Sequence, residues 1–469
     1  MCYTLPKIWN GRVQKFWDKT LPMPSSYPIT ESKFSLSYET EEIREAVVDM
    51  EASVGTEECP VVEMLPEDTY VSGYVGTYDV SGPTGEMTLL SPEPVSTGNV
   101  IAMHYIDGEW VQVEDVEVRD GFVYGTLESF SPIAIFEYAK DIHVDTEDHG
   151  IQGQAGKDLI ICEGNHVKVY RDTEDDKTYV LNLSSGTKIE LTKASYIIGG
   201  SIDGTYVAKT SILVENLVTN ALAAKIFVGS VYTEKEGFAE VGEANITVFH
   251  SPVTGCLTGS YGAVHTKKIN IHLENTILAW CGCGEGYAGV DTDHADFSSR
   301  AWCAEANWTL INVKNGLTFL GQNCEYYYVD KTTAYVEGGK HDYFIMGGSN
   351  ARTNSTTATI KGAKIGIFQT TNRGNVADAK VKFSGCEVEH LYVGGDASDS
   401  TVTGTTTKLL YEIDGAAGTY NFENGTEGGQ LLTKEDVERI VDRIEVSRNA
   451  TVVIDDSLRE LLGSKFIEK

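Results

Sequence analysis

The sequence predicts a mainly β protein: a small antiparallel β-sandwich or barrel module, then a right-handed parallel β-helix, then a small α/β C-terminal cap. Three observations lead to this prediction. Strand-favouring Val, Ile, Thr and Tyr recur along all 469 residues, whereas runs of helix-forming residues are few. Asp-Gly pairs separate alternating runs within residues 61–140. A short apolar phrase that ends in glycine returns repeatedly after residue 159.

Residues 1–35 form a basic and aromatic N-terminal arm. The segment contains four cationic residues and one carboxylate, Asp18, interspersed with aromatic residues. The cationic residues are Lys7, Arg12, Lys15 and Lys19. Such a segment on an acidic chain indicates docking onto a partner, and a frayed terminus is the alternative. The side chains expected to anchor the chain are Trp9, Arg12, Lys15, Phe16 and Trp17.

Residues 36–60 are predicted to contain one amphipathic helix followed by a linker. Apolar side chains recur at helical spacing between Ile43 and Met50, and the pattern stops at Gly55. A helix of this kind must pack its apolar stripe on a neighbouring element.

Residues 61–140 are predicted to form the antiparallel module. Asp-Gly pairs at 107–108 and 120–121 lie between alternating runs and favour tight hairpin turns. Several hairpins in so short a segment are typical of a small sandwich or barrel. The polar, glycine-containing residues 141–158 then form a linker.

Residues 159–410 repeat one phrase, and this repetition predicts the parallel β-helix. Apolar runs stop at glycine in "YIIGGS" (196–201), "IFVGS" (226–230), "FIMGGS" (344–349) and "LYVGGD" (391–396). A second alternating strand, such as "INIHLEN" or "AKVKFSG", accompanies each run, and the runs recur at intervals of roughly 20 to 40 residues. Glycine allows a positive φ or a close approach to the coil above. The alternative is two or three ordinary sandwiches whose strands simply end in turns.

Residues 411–469 are predicted to be a cap or an oligomerisation segment. "LTKEDVERIVDRI" (432–444) has Thr433 as a candidate N-cap and apolar residues on one face, which predicts a helix. A strand over "ATVVID" and a short helix stopped by Gly463 follow. A mixed α/β segment can cover the exposed last coil of a solenoid.

The charge, the apolar runs and the cysteines restrict the partners and the cellular location that the protein can be expected to have. The net charge of −32 disfavours nucleic acids and anionic membranes as partners, because their phosphates would be repelled. No apolar run is long enough for a membrane span, and the N-terminus lacks a signal-peptide core, so we expect assembly in a cytoplasm. The nine cysteines show no regular framework and fit buried thiols better than a disulfide scaffold. We expect no cofactor.

The weak catalytic candidates lie in "GVDTDHADFSSRAW" (289–302). Asp291, Asp293, His294 and Arg300 fall within ten residues, and an extended strand would point the two aspartates the same way. Paired carboxylates with a histidine suit acid–base cleavage of polysaccharides. A solvated acidic loop and a weak Ca²⁺ site are the alternatives, and the solvated loop is preferred.

Aromatic residues in and near "CEYYYVD" (324–330) suggest glycan binding. Strand alternation sends Tyr326 and Tyr328 to one face and Tyr327 to the other. With Trp280, Trp302 and Trp308 nearby, an outward aromatic ladder would stack on sugar rings. Core or subunit packing is the alternative, and it is preferred.

No metal site is predicted. Cys281 and Cys283 are one residue too close for the usual zinc pair, and Cys303 and Cys324 do not repeat a pair. Stacked cysteines inside successive coils are the simpler interpretation. His341 and Asp342 are adjacent in a strand and so face apart, which argues against an acid–base pair.

This organisation resembles the virion surface proteins of tailed bacteriophages, of the head-fibre or decoration type or the tail-fibre or spike type. The resemblance is one of architecture and depends on no specific motif. It implies a structural virion protein that docks onto other virion proteins through its N-terminal arm. It further implies a homotrimer and outer coils that meet host surface polysaccharide. The alternatives are a β-helical polysaccharide lyase or hydrolase, such as a tailspike depolymerase, and a bacterial surface adhesin.

Overall fold

The computed structural model describes most of the chain from Lys33 onward. The residues outside the description are 1–32, 39, 57, 82–86, 96–98, 120, 128, 130, 152, 155, 193–194, 218–224, 235, 252–254, 286–300, 322–326, 349–351, 373–374, 396–405, 415–416 and 428–429. The chain divides into two compact units. The first comprises residues up to Leu65 together with Val71–Tyr138, and the second comprises Pro66–Tyr70 and Ala139–Lys469.

The N-terminal unit contains one α-helix, α1 (Glu41–Ser53), and a 3-10 turn at Pro60–Met64. Its strands are β1 (Lys33–Ser35), β2 (Thr69–Ser81), β3 (Met87–Leu89), β4 (Val100–Ile106), β5 (Glu109–Gln112), β6 (Glu117–Arg119), β7 (Phe122–Thr126) and β8 (Pro132–Lys140). They form a five-stranded sheet in the order β1-β2-β8-β4-β5 and a three-stranded sheet in the order β3-β7-β6.

Successive side chains of β4 point to opposite faces of the five-stranded sheet, and this explains how the unit packs. Ile101 and Met103 lie in the cluster that also contains Met50 of α1, whereas Ala102 lies in the cluster shared with Val123 of the small sheet. The five-stranded sheet is therefore buried on both faces, by the helix on one side and by the second sheet on the other. The helix begins at Glu41, within the segment predicted to be helical, because the Thr40 hydroxyl accepts a hydrogen bond from the Ile43 N–H at 3.2 Å.

The C-terminal unit is built almost entirely from strands. In chain order they are β9 (His143–Asp145), β10 (Leu159–Ile161), β11 (His166–Arg171), β12 (Thr178–Asn182), β13 (Lys188–Glu190), β14 (Tyr196–Ile198), β15 (Val207–Glu215), β16 (Ile226–Phe227), β17 (Val231–Tyr232), β18 (Ala239–Phe249), β19 (Cys256–Thr258), β20 (Tyr261–Gly262), β21 (Val264–Glu274), β22 (Ile277–Gly282), β23 (Trp302–Ile311), β24 (Lys314–Phe319), β25 (Tyr328–Glu337), β26 (Lys340–Ile345), β27 (Arg352–Lys361), β28 (Lys364–Gln369), β29 (Asn375–Ser384), β30 (Glu387–Val393), β31 (Thr406–Asp414), β32 (Thr419–Asn424), β33 (Thr426–Glu427), β34 (Gln430–Leu431), β35 (Val441–Val446), β36 (Thr451–Val453) and β37 (Phe466–Glu468).

Two large sheets organise these strands. The long-strand sheet has thirteen strands in the order β13-β12-β11-β15-β18-β21-β23-β25-β27-β29-β31-β35-β37. The short-strand sheet has twelve, in the order β36-β32-β30-β28-β26-β24-β22-β19-β16-β14-β10-β9. From β14 onward the chain alternates between them, and each crossing adds one parallel strand; we call a long strand together with the short strand that follows it a coil. Outside the two large sheets, β17 pairs with β20 in parallel and β33 pairs with β34 antiparallel. The prediction of a mainly β protein is thus confirmed, with long parallel sheets as its dominant feature.

The core lies between the two sheets, where equivalent side chains stack strand upon strand. In one inward row of the long-strand sheet, Ile271 pairs in register with Trp308, and Trp308 pairs with Ala334. Ala358 follows in the next strand. All four side chains are nearly or fully buried. The small Ala334 beside the indole, followed by Ala358, leaves room for the large ring, as close packing requires.

The corner that leads from a long strand to the next short strand is left-handed. The residue directly after the long strand has φ between 48° and 64° in seven successive coils. These residues are Asn216, His250, Asn275, Asn312, Gly338, Gly362 and Gly385. Asparagine and glycine tolerate this conformation best, which explains their prevalence at the corner.

The corner that follows a short strand carries the repeated glycines, and these serve close approach. A Cβ on Gly199 would lie 2.1 Å from the Val228 carbonyl oxygen, and one on Gly259 would lie 2.0 Å from that of Cys283. Neither glycine has a positive φ. Glycine is expected either to adopt a positive φ or to allow close approach between coils. At these positions it allows close approach.

The C-terminal segment contains two short helices, α2 (Lys434–Ile440) and α3 (Asp456–Leu462). Thr433 caps α2 as predicted, and Gly463 follows the last residue of α3. The predicted helix over 432–444 is too long, because Val441–Val446 forms strand β35 and pairs with β31. Pairing with the neighbouring strand β31 outweighs the helical pattern of this segment, so the segment is extended.

Candidate functional site

An aromatic row crosses four successive coils on the solvent face of the long-strand sheet. In register, His265 lies beside Trp302, and Trp302 beside Tyr328. Phe238, just before β18, stacks on His265 and extends the row, although the residue of β18 in register with His265 is Glu240. Arg352 follows Tyr328 at the other end. Inward neighbours such as Cys303 and Val329 are fully buried, so strand alternation directs the row outward. We call Phe238, His265, Trp302 and Tyr328 the aromatic row.

Contacts within the aromatic row hold its members in place. The Phe238 and His265 rings are stacked with centroids 3.8 Å apart, and the His265 and Trp302 rings meet edge to face at 5.8 Å. Phe238 remains 43% exposed, although a phenyl ring of this size is ordinarily buried. An ordered, partly exposed run of rings offers flat apolar surface for the C–H faces of sugars.

Tyr328 is oriented by polar neighbours on the same face. Its hydroxyl donates to the Asp330 carboxylate at 3.2 Å, and the Asn354 side-chain amide donates to the same oxygen at 2.9 Å. Burial, and then the negative charge of Asp330, raise the pKa of Tyr328. The phenol therefore keeps its proton at neutral pH and remains a hydrogen-bond donor.

Beside the aromatic row runs a row of charged residues whose sign alternates from coil to coil. Lys209 pairs with Glu243, Glu243 with Lys268, Lys268 with Glu305, and Glu305 with Lys331. We call these five residues the charge row. Directly opposed like charges would destabilise neighbouring strands, and alternation avoids this.

A third row on this face consists of asparagines and threonines. The Asn270 amide donates to the Asn245 side-chain oxygen at 2.8 Å, and the Asn307 amide donates to that of Asn270 at 3.0 Å. Exposed Thr333 and Thr357 continue the row. The face thus combines aromatic, charged and neutral hydrogen-bonding groups in parallel lines.

The structure brings together two of the three predicted glycan-binding residues. Trp302 and Tyr328 are in-register neighbours on the solvent face, and Tyr326 lies outside the described residues. Trp308 is buried and donates from its ring nitrogen to the Leu320 carbonyl oxygen at 3.1 Å, so it belongs to the core. Trp280 lies on the short-strand sheet.

Other predicted site residues fall outside the part of the chain that the structure describes. They include the catalytic candidates Asp291, Asp293, His294 and Arg300 and the arm residues Trp9, Arg12, Lys15, Phe16 and Trp17. Their predicted roles remain predictions.

The cysteines in the described part of the chain are free thiols. Cys281, Cys283 and Cys303 are fully buried in the core, whereas Cys324 lies outside the described residues. Burial raises the pKa of Cys281 to about 12, and it also raises the pKa of Cys303, with the neighbouring Cys283 thiol adding to the effect. Metals bind the thiolate, so a thiol held in its protonated form is a poor metal ligand.

One group of potential metal ligands occurs among the described residues, in the linker before β10. The ligand atoms of Asp145, Glu147 and His149 lie within 4.8 Å of one another. The His149 Nε2 is 3.0 Å from the Asp145 carboxylate. Burial would raise the pKa of Asp145, but hydrogen bonds from the Glu147 N–H and from His149 lower it overall. These contacts already explain the group as a hydrogen-bonded turn.

His341 and Asp342 point in opposite directions. His341 is fully buried, and Asp342 is exposed and pairs with Lys340 at 3.1 Å. Burial lowers the pKa of His341 to about 4, so the imidazole is neutral at neutral pH. Its Nδ1 lies 3.0 Å from the Thr318 hydroxyl inside the core.

An open acidic groove occurs in the N-terminal unit. It has a volume of about 670 Å³ and is lined by Glu42, Glu45 and Asp49 of α1 and by Tyr105 and Trp110 of the β4–β5 hairpin. The Tyr105 and Trp110 rings lie 5.3 Å apart. Nothing among the described contacts indicates what would occupy this groove.

Comparison of the chain with protein-family models, with curated protein sequences and with solved structures finds no match. In the described ranges, no helix is both long enough and apolar enough to cross a membrane.

Two members of the aromatic row were not predicted from the sequence. Phe238 and His265 lie far from Trp302 in the chain. His265 joins the row because β21 and β23 pair in register, whereas Phe238 stacks on His265 from two residues before Glu240, the in-register residue of β18. The lengths of the corners decide that register, and these lengths vary along the unit. The signal that was available is the polar or aromatic residue that precedes each long alternating strand.

Proposed function

We propose that this chain is a structural protein of a tailed-phage virion whose C-terminal unit is a right-handed parallel β-helix that binds host surface polysaccharide. The observation that carries the proposal is the aromatic row on the outer face of the long-strand sheet. Alternation of the chain between two parallel sheets supports the β-helical assignment. The fold supplies a regular surface, and the row supplies the binding groups.

The aromatic row is tested by glycan binding to the full-length protein. Trp302→Ala removes the largest ring of the row, and we expect it to lower affinity for a bound polysaccharide about tenfold. Trp280→Ala is the matched control, because it removes an equally large ring from the other sheet. Equal loss of affinity in both variants, or in neither, would contradict the assignment of this face.

The proposed homotrimer, and its independence from the arm, are tested by mass measurement. Residues Trp9, Arg12, Lys15, Phe16 and Trp17 are proposed to bind another virion protein, and the chain is proposed to form a homotrimer. We expect light scattering to give a trimer both for the full chain and for a chain that begins at Glu31. A monomer in both cases would count against the fibre-like assembly.

A further inference from the structure

The arrangement of the outer face limits the chemical class of its ligand. The members of the aromatic row lie one per coil, and neighbouring strands are about 4.8 Å apart, so the row runs across the strands. The charge row is parallel to it, three residues farther along the strands, or about 10 Å away. A ligand that contacts successive rings therefore passes the side chains of the charge row one after another.

The charge row is unsuited to a polyanion. A carboxylate group that binds at Lys268 would lie one strand from Glu243 on one side and one strand from Glu305 on the other. Asp330, beside Tyr328, adds a further negative charge. The chain as a whole carries a net charge of −32, so its long-range field also repels anions.

The same alternation suits a polyhydroxylated, uncharged ligand. Each ammonium group donates hydrogen bonds and each carboxylate accepts them, whereas a sugar hydroxyl does both. Successive sugars would thus meet a donor and an acceptor in turn while their C–H faces lie on the rings. Exposed Thr333 and Thr357 add neutral partners on the same face.

We propose that this face binds an uncharged polysaccharide, held in an extended form along the aromatic row, and that it discriminates against polysaccharides bearing carboxylate groups. The inference rests on the proposed glycan-binding function and adds the charge class and the direction of the bound chain. The discrimination comes from Glu243 and Glu305, whose carboxylates separate the lysines of the charge row.

The test uses the full-length protein and immobilised dextran, galactan and glucomannan, each alongside its carboxymethylated derivative. We expect at least one uncharged polymer to bind and its carboxymethylated form to bind about tenfold more weakly. Binding of the uncharged polymer should not change between about 50 and about 500 mM salt, because no charge on the ligand is screened. Glu243→Gln combined with Glu305→Gln should narrow the difference between the two forms.

The outcomes separate this inference from the proposed function. Tighter binding of a carboxymethylated polymer, with affinity that falls as salt rises, would overturn the inference and leave glycan binding intact. A double variant that leaves the tenfold difference unchanged would also overturn it. If none of the six polymers binds, or if Trp302→Ala has no effect on the one that does, the proposed glycan-binding function itself fails.

Discussion

The two corners of each coil in the C-terminal unit solve the same geometric problem differently. After a long strand the chain turns through one residue in the left-handed conformation, such as Asn275, Asn312 or Gly362. After a short strand it turns where glycine lets one coil touch the next, as at Gly259. At the first corner a side chain is penalised by the backbone conformation, and at the second by the lack of space. The same Gly-to-Ala substitution should therefore lower the free energy of unfolding by different amounts at the two corners.

Buried polar atoms lie near both corners, and they differ in whether they have hydrogen-bond partners. Carbonyl oxygens beside the glycine corner accept hydrogen bonds from the opposite sheet: Val228 from the Thr210 hydroxyl at 2.6 Å and Leu320 from the Trp308 ring at 3.1 Å. One residue beyond the start of its short strand, His341 leaves its Nε2 without a hydrogen-bond partner among the described residues. These carbonyl oxygens are therefore paired, but buried atoms without a partner occur at both corners, because the Thr353 hydroxyl beside Gly321 also has none among the described residues.

The largest expected effect comes from removing the side chain that spans the core to the glycine corner. Trp308→Ala leaves a cavity beside Ala334 and deprives the Leu320 carbonyl of its partner. We expect the free energy of unfolding to fall by about 3 to 5 kcal/mol, measured by denaturant titration. Trp308→Phe, which keeps most of the volume and loses the hydrogen bond, should cost clearly less, and equal losses would show that packing contributes little.

Acid should weaken the core near the left-handed corner. The pKa of His341 is about 4 in the folded chain and near 6.5 when unfolded, so the unfolded state binds more protons between these values. The contribution of His341 is complete above about pH 6.5 and declines as pH falls towards 4, by about 3 kcal/mol in total. Comparison with His341→Gln isolates this term, since the variant should lose that part of the pH dependence. An unchanged pH profile would mean that other groups are responsible.

Filling the space at the glycine corner should have an intermediate effect. A Cβ on Gly259 would lie 2.0 Å from the Cys283 carbonyl oxygen and 2.5 Å from the Ile269 side chain. Gly259→Ala should therefore lower the free energy of unfolding by roughly 1 to 3 kcal/mol. A loss below this range would show that the coils can separate slightly at little cost.

The smallest effect is expected at the left-handed corner. Gly362 has φ of 60° and open space around the position of a Cβ, so the only penalty of a side chain is conformational. Gly362→Ala should cost about 1 to 2 kcal/mol, and Gly362→Asn less, because Asn275 and Asn312 adopt the same conformation. Thermal unfolding of the three proteins gives the order directly. An alanine variant more stable than the asparagine variant would refute the conformational explanation.

Local sequence signals predicted much of the fold. The helix Glu41–Ser53 and the hairpin turn at Asp107 and Gly108 follow from spacing and turn chemistry, which act within a few residues. The end of α2 did not follow, because Val441–Val446 pairs with a strand that lies far away in the chain. In the candidate site, alternation was enough to direct Tyr328 outward, but the approach of His265 to Trp302 depends on register between coils, and Phe238 joins them only by stacking on His265. Register is a tertiary property, and the corners that determine it differ in length.

The alternating signs of the charge row restrict how a protein of this kind changes length in evolution. If the strand bearing Lys268 were deleted with the rest of its coil, Glu243 and Glu305 would become direct neighbours, and two like charges would face each other. Deleting two consecutive coils would leave the order of signs intact. Gains and losses by pairs of repeats inside the row are thus tolerated best, whereas a single loss that removes Glu243, Lys268 or Glu305 requires a compensating charge reversal elsewhere in the row.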